Sequence, residues 1–199
     1  FSAGENDVTS HLNPGVANMV SHPLVRYDPR NSQYFLIFKV ENGGLFSQNL
    51  NINGSSSLAR GGMPAGVSML PLDDFPYMVF YNDEFYVVYE SERLGFKRDV
   101  FMTTVNAGGV FDFVIATPPA TSELRPKLAL YAITKPNIGR FDLQQFGFVW
   151  YDDTGKVYFQ ILDENLAAVT SQPVVVGDGM NPHIVYLNQK KSYFVSYVD

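Results

Sequence analysis

The sequence contains no cysteine. That absence removes disulfide frameworks, thiolate zinc sites and cysteine nucleophiles together, while leaving the redox compartment open. Charge is scarce as well: only 17% of residues are Asp, Glu, Lys or Arg, against 46% hydrophobic. A chain of 199 residues with that balance can build a sizeable core, which excludes global disorder. No apolar run approaches the roughly 18 residues of a membrane span, because Gly, Pro, Asn or Asp interrupts each one, so membrane insertion is not expected. Basic excess is missing too. A formal charge of −6 and a pI near 5.0 leave no cationic face to neutralise phosphates, so nucleic acid is not expected as a partner. The sequence opens at Phe1 without a methionine or a charged and apolar leader, as a processed chain would, and this favours an extracellular or cell-surface location.

What the sequence has in quantity is aromatic residues, 12 Tyr and 16 Phe, and they recur in a pattern. Four segments share a proline, an apolar strand-like run, a polar turn and a second run rich in aromatic and β-branched residues. The first runs are His22 to Tyr27, Phe75 to Tyr81, Arg125 to Tyr131 and Asn181 to Tyr186; the second are Tyr34 to Lys39, Phe85 to Tyr89, Phe146 to Tyr151 and Tyr193 to Val198. The prolines Pro23, Pro76, Pro126 and Pro182 lie 53, 50 and 56 residues apart. A third run follows in three copies, Gly44 to Asn51, Asp99 to Val105 and Lys156 to Leu162, each ending in an Asn, Gly or Asp turn that suits a hairpin into a fourth strand. Helical periodicity is sustained nowhere. Each unit reads as four antiparallel strands, with proline tolerated at the head of the first.

The fourth copy stops after its second run, and the missing half stands at the other end of the chain. Gly4-Glu5-Asn6 through Pro14 to His22-Pro23 aligns without gaps on Asp163-Glu164-Asn165 through Pro173 to Asn181-Pro182. The expected fold is an all-β, four-bladed β-propeller forming one domain over residues 1–199. Its repeats fall at approximately 23–75, 76–125, 126–181, and 182–199 plus 1–22, the last blade being completed jointly by the N- and C-terminal segments. Closure of that kind protects sheet edges. The joint repeat is about ten residues shorter than the others, so a thin blade is expected, with a piece of a larger ring as the alternative.

The repeat resembles the proline-headed, four-stranded propeller repeats of about fifty residues found in secreted and surface proteins of bacteria. In size it is also similar to hemopexin-like propellers, without the cysteine pair that ties their first and last blades. The resemblance implies that first strands line a central channel, whose mouth would gather His22, Tyr77, Arg125, Lys127, Asn181 and His183. Guanidinium, ammonium and imidazole there could bind the oxygens of a polar or anionic ligand; a channel plugged by side chains is the competing expectation.

Two loops break the repeat and are candidates for a recognition surface. One carries Arg93, Phe96, Lys97 and Arg98; the other, from Ala132 to Gln145, carries Lys135, Arg140 and Phe141. Catalytic signatures are lacking. The acids Asp28, Asp73, Asp74, Asp83, Glu84, Asp152 and Asp153 sit mostly in turns, where Asp is expected for turn chemistry. The stretch from Asp153 to Tyr158 partly resembles a sialidase Asp-box but has Tyr151 where Ser is usual. Gly-x-Ser-x-Gly and phosphate-loop motifs are absent. His22 and His183 occupy matching repeat positions without an HExxH or acidic loop, so neither a metal nor a cofactor is expected.

The expected role is therefore a non-enzymatic extracellular recognition or assembly module that binds a glycan or a protein partner through one propeller face and its long loops. Two alternatives stand beside it. One is a propeller-type glycoside hydrolase or lyase, with acids converging from several blades. The other is a structural subunit of a surface assembly or fibre, taking a strand from a neighbouring copy in a homo-oligomer.

Overall fold

The structure is a computed structural model that describes residues 20–29, 31–41, 44–53, 65–68, 73–81, 84–92, 97–106, 109–116, 121–135 and 140–199. For 20, 65–68, 106, 109–116, 133–135 and 140–144 it describes the main chain alone. The described residues are all-β, with fourteen strands and no helix. They divide into two compact units, Phe1–Pro76 and Tyr77–Asp199.

In the first unit β1 (Val20–Asp28), β2 (Gln33–Val40), β3 (Gly44–Asn51) and β4 (Ala65–Ser68) form one antiparallel sheet in chain order. The β2 sequence Tyr-Phe-Leu-Ile-Phe does not alternate, and correspondingly both of its faces are buried from Phe35 to Val40. Leu36, Phe38, Val40 and Leu50 form the core of this unit. Lys39 is buried with them, and its ammonium donates to the Asp73 carbonyl at 2.6 Å, which satisfies a charge that would otherwise be costly inside.

The second unit begins within β5 (Asp74–Tyr81), which forms a four-stranded meander with β6 (Glu84–Ser91), β7 (Asp99–Asn106) and β8 (Gly109–Ala116). A second meander joins β9 (Glu123–Lys135), β10 (Arg140–Asp152), β11 (Lys156–Asp163) and β12 (Val174–Asp178), and β13 (Met180–Leu187) pairs with β14 (Ser192–Val198). The strands stand where the repeat places them. Val88, Val100 and Met102 meet Leu128, Phe146, Phe148, Trp150 and Leu162 in one cluster. Burial of each large side chain there contributes roughly 2–3 kcal/mol. A further cluster joins Ala129, Val149 and Val157 to Ile184. The β14 strand differs from the other second strands. Its side chains alternate, Tyr193, Val195 and Tyr197 inward and Phe194, Ser196 and Val198 exposed, because only one face is covered.

The proline heads share one backbone device. His22, Phe75, Arg125 and Asn181, each just before its proline, have φ of 51°, 48°, 51° and 51°. Residues before proline ordinarily stay extended, and a left-handed Phe is uncommon. In β1 and β13 the register shifts at this point, between Ser21 and Leu24 and between Met180 and His183, as a bulge requires.

Of the segment expected to complete the last repeat, residues 1–22, residues 1–19 lie outside the described residues. The expected loop from Ala132 to Gln145 is corrected. β9 and β10 run on through it as one long hairpin, with Ala132 opposite Leu143, Ile133 opposite Asp142, Thr134 opposite Phe141 and Lys135 opposite Arg140. Lys135, Arg140 and Phe141 are therefore strand residues. Pairing satisfies backbone groups that a long structureless loop would leave to solvent.

Candidate functional site

The second unit gathers ionisable side chains at the head of β9, whose sequence starts Glu123-Leu124-Arg125-Pro126-Lys127. The left-handed turn at Arg125 points its N–H out of the ladder, and the group donates to Glu90 Oε2 at 3.0 Å. Glu90, near the end of β6, is wholly buried. Its other oxygen is bound by the Arg98 guanidinium, which also donates to Glu92 Oε1 at 2.9 Å. The Arg98 backbone completes the circuit, its carbonyl accepting from Glu123 N at 2.7 Å and its N–H donating to Ser122 Oγ at 3.4 Å. Arg98 thus ties the end of β6 to the head of β9.

Glu123 is buried without a cation. Val100 N donates to its Oε2 at 3.2 Å, and its Oε1 has no hydrogen-bond partner. Burial first, and then the charges of Asp99 and Asp152, push its pKa up to about 8 against the Val100 hydrogen bond. At neutral pH it is a carboxylic acid. Asp152, its Cα partner across β9 and β10, is the opposite case. Burial would raise Asp152, but donations from Thr154 N, Thr154 Oγ1, Lys156 N and Tyr158 Oη, at 2.9, 2.6, 3.0 and 2.9 Å, hold it below the usual carboxylate range. The Asp-box-like stretch is therefore a turn between β10 and β11, built around this carboxylate and Gly155 at φ 81°.

Burial also raises Glu90, opposed by the Arg125 N–H and the Arg98 guanidinium. Burial pulls Arg98 down, but Glu92 and Glu90 together lift it above the ordinary arginine value. Lys127 lies half-buried with its ammonium 4.8 Å from the centre of the Tyr77 ring, a cation–π contact. Burial and the Arg125 cation hold that ammonium below the lysine range, with Glu90 opposing.

Of the expected channel-mouth set, Tyr77, Arg125 and Lys127 come together here. His22, in the first unit, places Nδ1 2.9 Å from Asp74 Oδ1 and its ring 4.2 Å from that of Phe75. Asn181 and His183 are exposed on β13. Arg93 and Phe96 lie outside the described residues, and Lys97 is exposed. Arg98, expected on a recognition surface, is partly exposed, and its guanidinium is engaged by two carboxylates of its own chain. Sequence reasoning missed Glu90 and Glu123, the two acids at the centre of the cluster. Among the described residues no three His, Asp or Glu side chains gather closely enough to hold a metal ion.

No protein-family model matches the chain, and no curated protein matches it in sequence. Solved structures match it in fold. A GH43 endo-arabinanase from Bacillus licheniformis aligns over 83% of this chain with a TM-score of 0.57 and 12% identity. An endo-arabinase from Bacteroides thetaiotaomicron aligns over 87% with 0.53 and 13%. The chain spans 61% of the first and 72% of the second, so it covers about three fifths of the length of the Bacillus enzyme. At such identity the likeness is one of fold, that of the GH43 β-propellers, which have five blades. The four-stranded meanders described above match the blades of that fold. The expectation of a non-enzymatic recognition or assembly module is corrected by these matches, since the proteins that share the fold are enzymes that act on a glycan.

Proposed function

We propose that the chain is a glycoside hydrolase of the β-propeller type that cuts a polysaccharide such as arabinan outside the cell. The observation that carries this reading is the fold shared with two arabinan-cleaving enzymes. The cluster at the head of β9 supports it chemically. Glycosidic hydrolysis needs one carboxylic acid to protonate the leaving oxygen and one carboxylate to act on the opposite side of the sugar, as nucleophile or as base. Glu123, neutral below about pH 8, is the proton donor in this assignment. Glu90, held by Arg98, is the second carboxyl group of the assignment. Lys127 and Tyr77 offer an ammonium and a ring face to sugar hydroxyls and C–H groups. An extracellular place of action follows from substrate size, because a polymer too large to enter a cell must be cut outside it.

The test is reducing-end release from linear arabinan, with xylan, galactan and β-glucan as further substrates. Turnover of at least one polymer is expected, falling by about a hundredfold or more in Glu123→Gln and in Glu90→Gln. A folded wild-type protein that cuts none of them would sink the reading. Turnover that survives both substitutions would remove Glu123 and Glu90 from it.

A further inference from the structure

A cleft of about 380 Å³ opens in the second unit, between the far ends of β9, β10 and β11 and the β13–β14 hairpin. It is separate from the carboxylate cluster. Tyr131 lies eight residues along β9 from Glu123, a distance of about 26 Å at the rise of an extended strand. Four aromatic rings run through the cleft in contact. Tyr131 stacks on Tyr186 with centroids 4.4 Å apart and planes at 29°. Tyr186 meets Tyr193 edge-on at 5.0 Å, and Tyr193 meets Phe159 at 5.5 Å. Gln145, Lys191 and Ser192 bring an amide, an ammonium and a hydroxyl to the same lining.

Two further features point to a ligand. The hydroxyl of Tyr193 is buried and has no hydrogen-bond partner, a condition that native structures rarely leave unanswered. The ring that carries it is fixed in place: it lies over Gly147, where an added Cβ would fall 2.8 Å from Tyr193 Cζ and closer still to two other ring carbons. A rigid ring with an unanswered hydroxyl is a pre-organised contact.

The lining chemistry selects the ligand class. Among the described residues the lining holds no carboxylate that would favour a cation, and a single charge, a lysine on the β13–β14 turn, too little to hold a strong anion. Ring faces, hydroxyls and an amide together suit a neutral molecule with one C–H face and several hydroxyl groups.

We propose that this cleft binds a neutral sugar ring of a polysaccharide chain, as a non-catalytic site apart from the cluster at the head of β9. The inference stands on the cleft and does not require that the chain be hydrolytic. The experiment is NMR titration of ring-labelled tyrosines with oligosaccharides derived from arabinan, xylan and β-glucan, taken into the millimolar range. At least one of the three should shift Tyr131, Tyr186 and Tyr193 saturably. Affinity should fall about tenfold or more in Tyr131→Ala and in Lys191→Ala, the second being an exposed turn substitution that leaves packing intact. If none of the three moves these resonances, or if both variants bind as the wild type does, the inference is overturned. Glu123→Gln separates the two proposals. Sugar shifts retained at the cleft of that variant after turnover is lost support both proposals as separate sites; sugar shifts in a wild-type protein without turnover support this site alone, whereas turnover by a wild-type protein whose cleft tyrosines never respond supports the hydrolase alone and overturns the cleft.

Discussion

Replacing Glu123 with Gln should flatten much of the pH dependence of stability, and the structure sets the size and sign of the effect. The carboxyl is wholly buried, with its pKa pushed up to about 8 from an ordinary 4.5. Between these values the folded chain keeps a proton that the unfolded chain releases. Stability must therefore fall as pH rises through that window and level off above it. At 1.36 kcal/mol per pH unit the full loss is on the order of 4–5 kcal/mol, a large part of the 5–15 kcal/mol that holds a typical domain together. Urea unfolding at intervals from about pH 5 to about pH 9 measures it, with the fluorescence of Trp150, buried in the same unit, as the probe. The wild type should lose several kcal/mol across the range. The Gln variant should lose markedly less and be the more stable protein at the alkaline end. Glu90 and Asp99 are raised by burial as well, so the difference between the two curves, and not the slope of either, isolates Glu123. Parallel curves would refute the assignment of a neutral acid at this position.

Three other substitutions test the surrounding framework. Arg98→Met removes the cation beside buried Glu90 and should cost about 3 kcal/mol, at the low end for such pairs because the guanidinium is partly exposed; Glu90→Gln in the same chain should recover much of it, and a loss under about 1 kcal/mol would show the pair to be incidental. Asp152→Ala strips the acceptor from four hydrogen bonds, and a lowered urea midpoint equivalent to about 3 kcal/mol is expected. Because Asp152 also raises Glu123, that variant should move the pH window downward, and an unmoved window would contradict the coupling. Gly147→Ala drives a methyl into the Tyr193 ring and should destabilise by about 1–3 kcal/mol. Tyr193→Ala should remove most of that penalty in a double-mutant cycle, and additive effects would show that the two residues do not touch.

Strand positions were legible because local signals agree with one another. Proline, an apolar run, an Asn, Asp or Gly turn and an aromatic run recur often enough to fix β1, β2, β5, β6, β9, β10, β13 and β14 without tertiary information. The long hairpin of β9 and β10 was not legible, because Pro136, Asn137 and Gly139 read as a loop while the pairing of Ile133 with Asp142 depends on a ladder begun further back. The site was hidden for a related reason. Attention fell on residues flanking the prolines and on acids in turns, whereas Glu90 and Glu123 stand 33 positions apart and meet only through Arg98 and Arg125. A signal did exist. Glu90 ends the run Val87-Val88-Tyr89, where an acid with no turn residues around it has to be buried and partnered. The non-enzymatic expectation was overturned by a likeness of fold to enzymes, which at 12–13% identity leaves no motif to read in the sequence.

In each sheet, strands that follow one another in the chain also lie side by side. Each ladder among the described strands is closed by the next strand in the chain, so an all-β chain of this kind largely avoids the slow search for distant pairing partners. Heredity gains from the same arrangement. A stretch of some fifty residues copied in tandem carries all of its ladder partners with it and interrupts none of those already present, so a gene can lengthen by whole sheets without passing through an unfoldable intermediate. The spacings of 53, 50 and 56 residues between the prolines are the trace that such copying would leave.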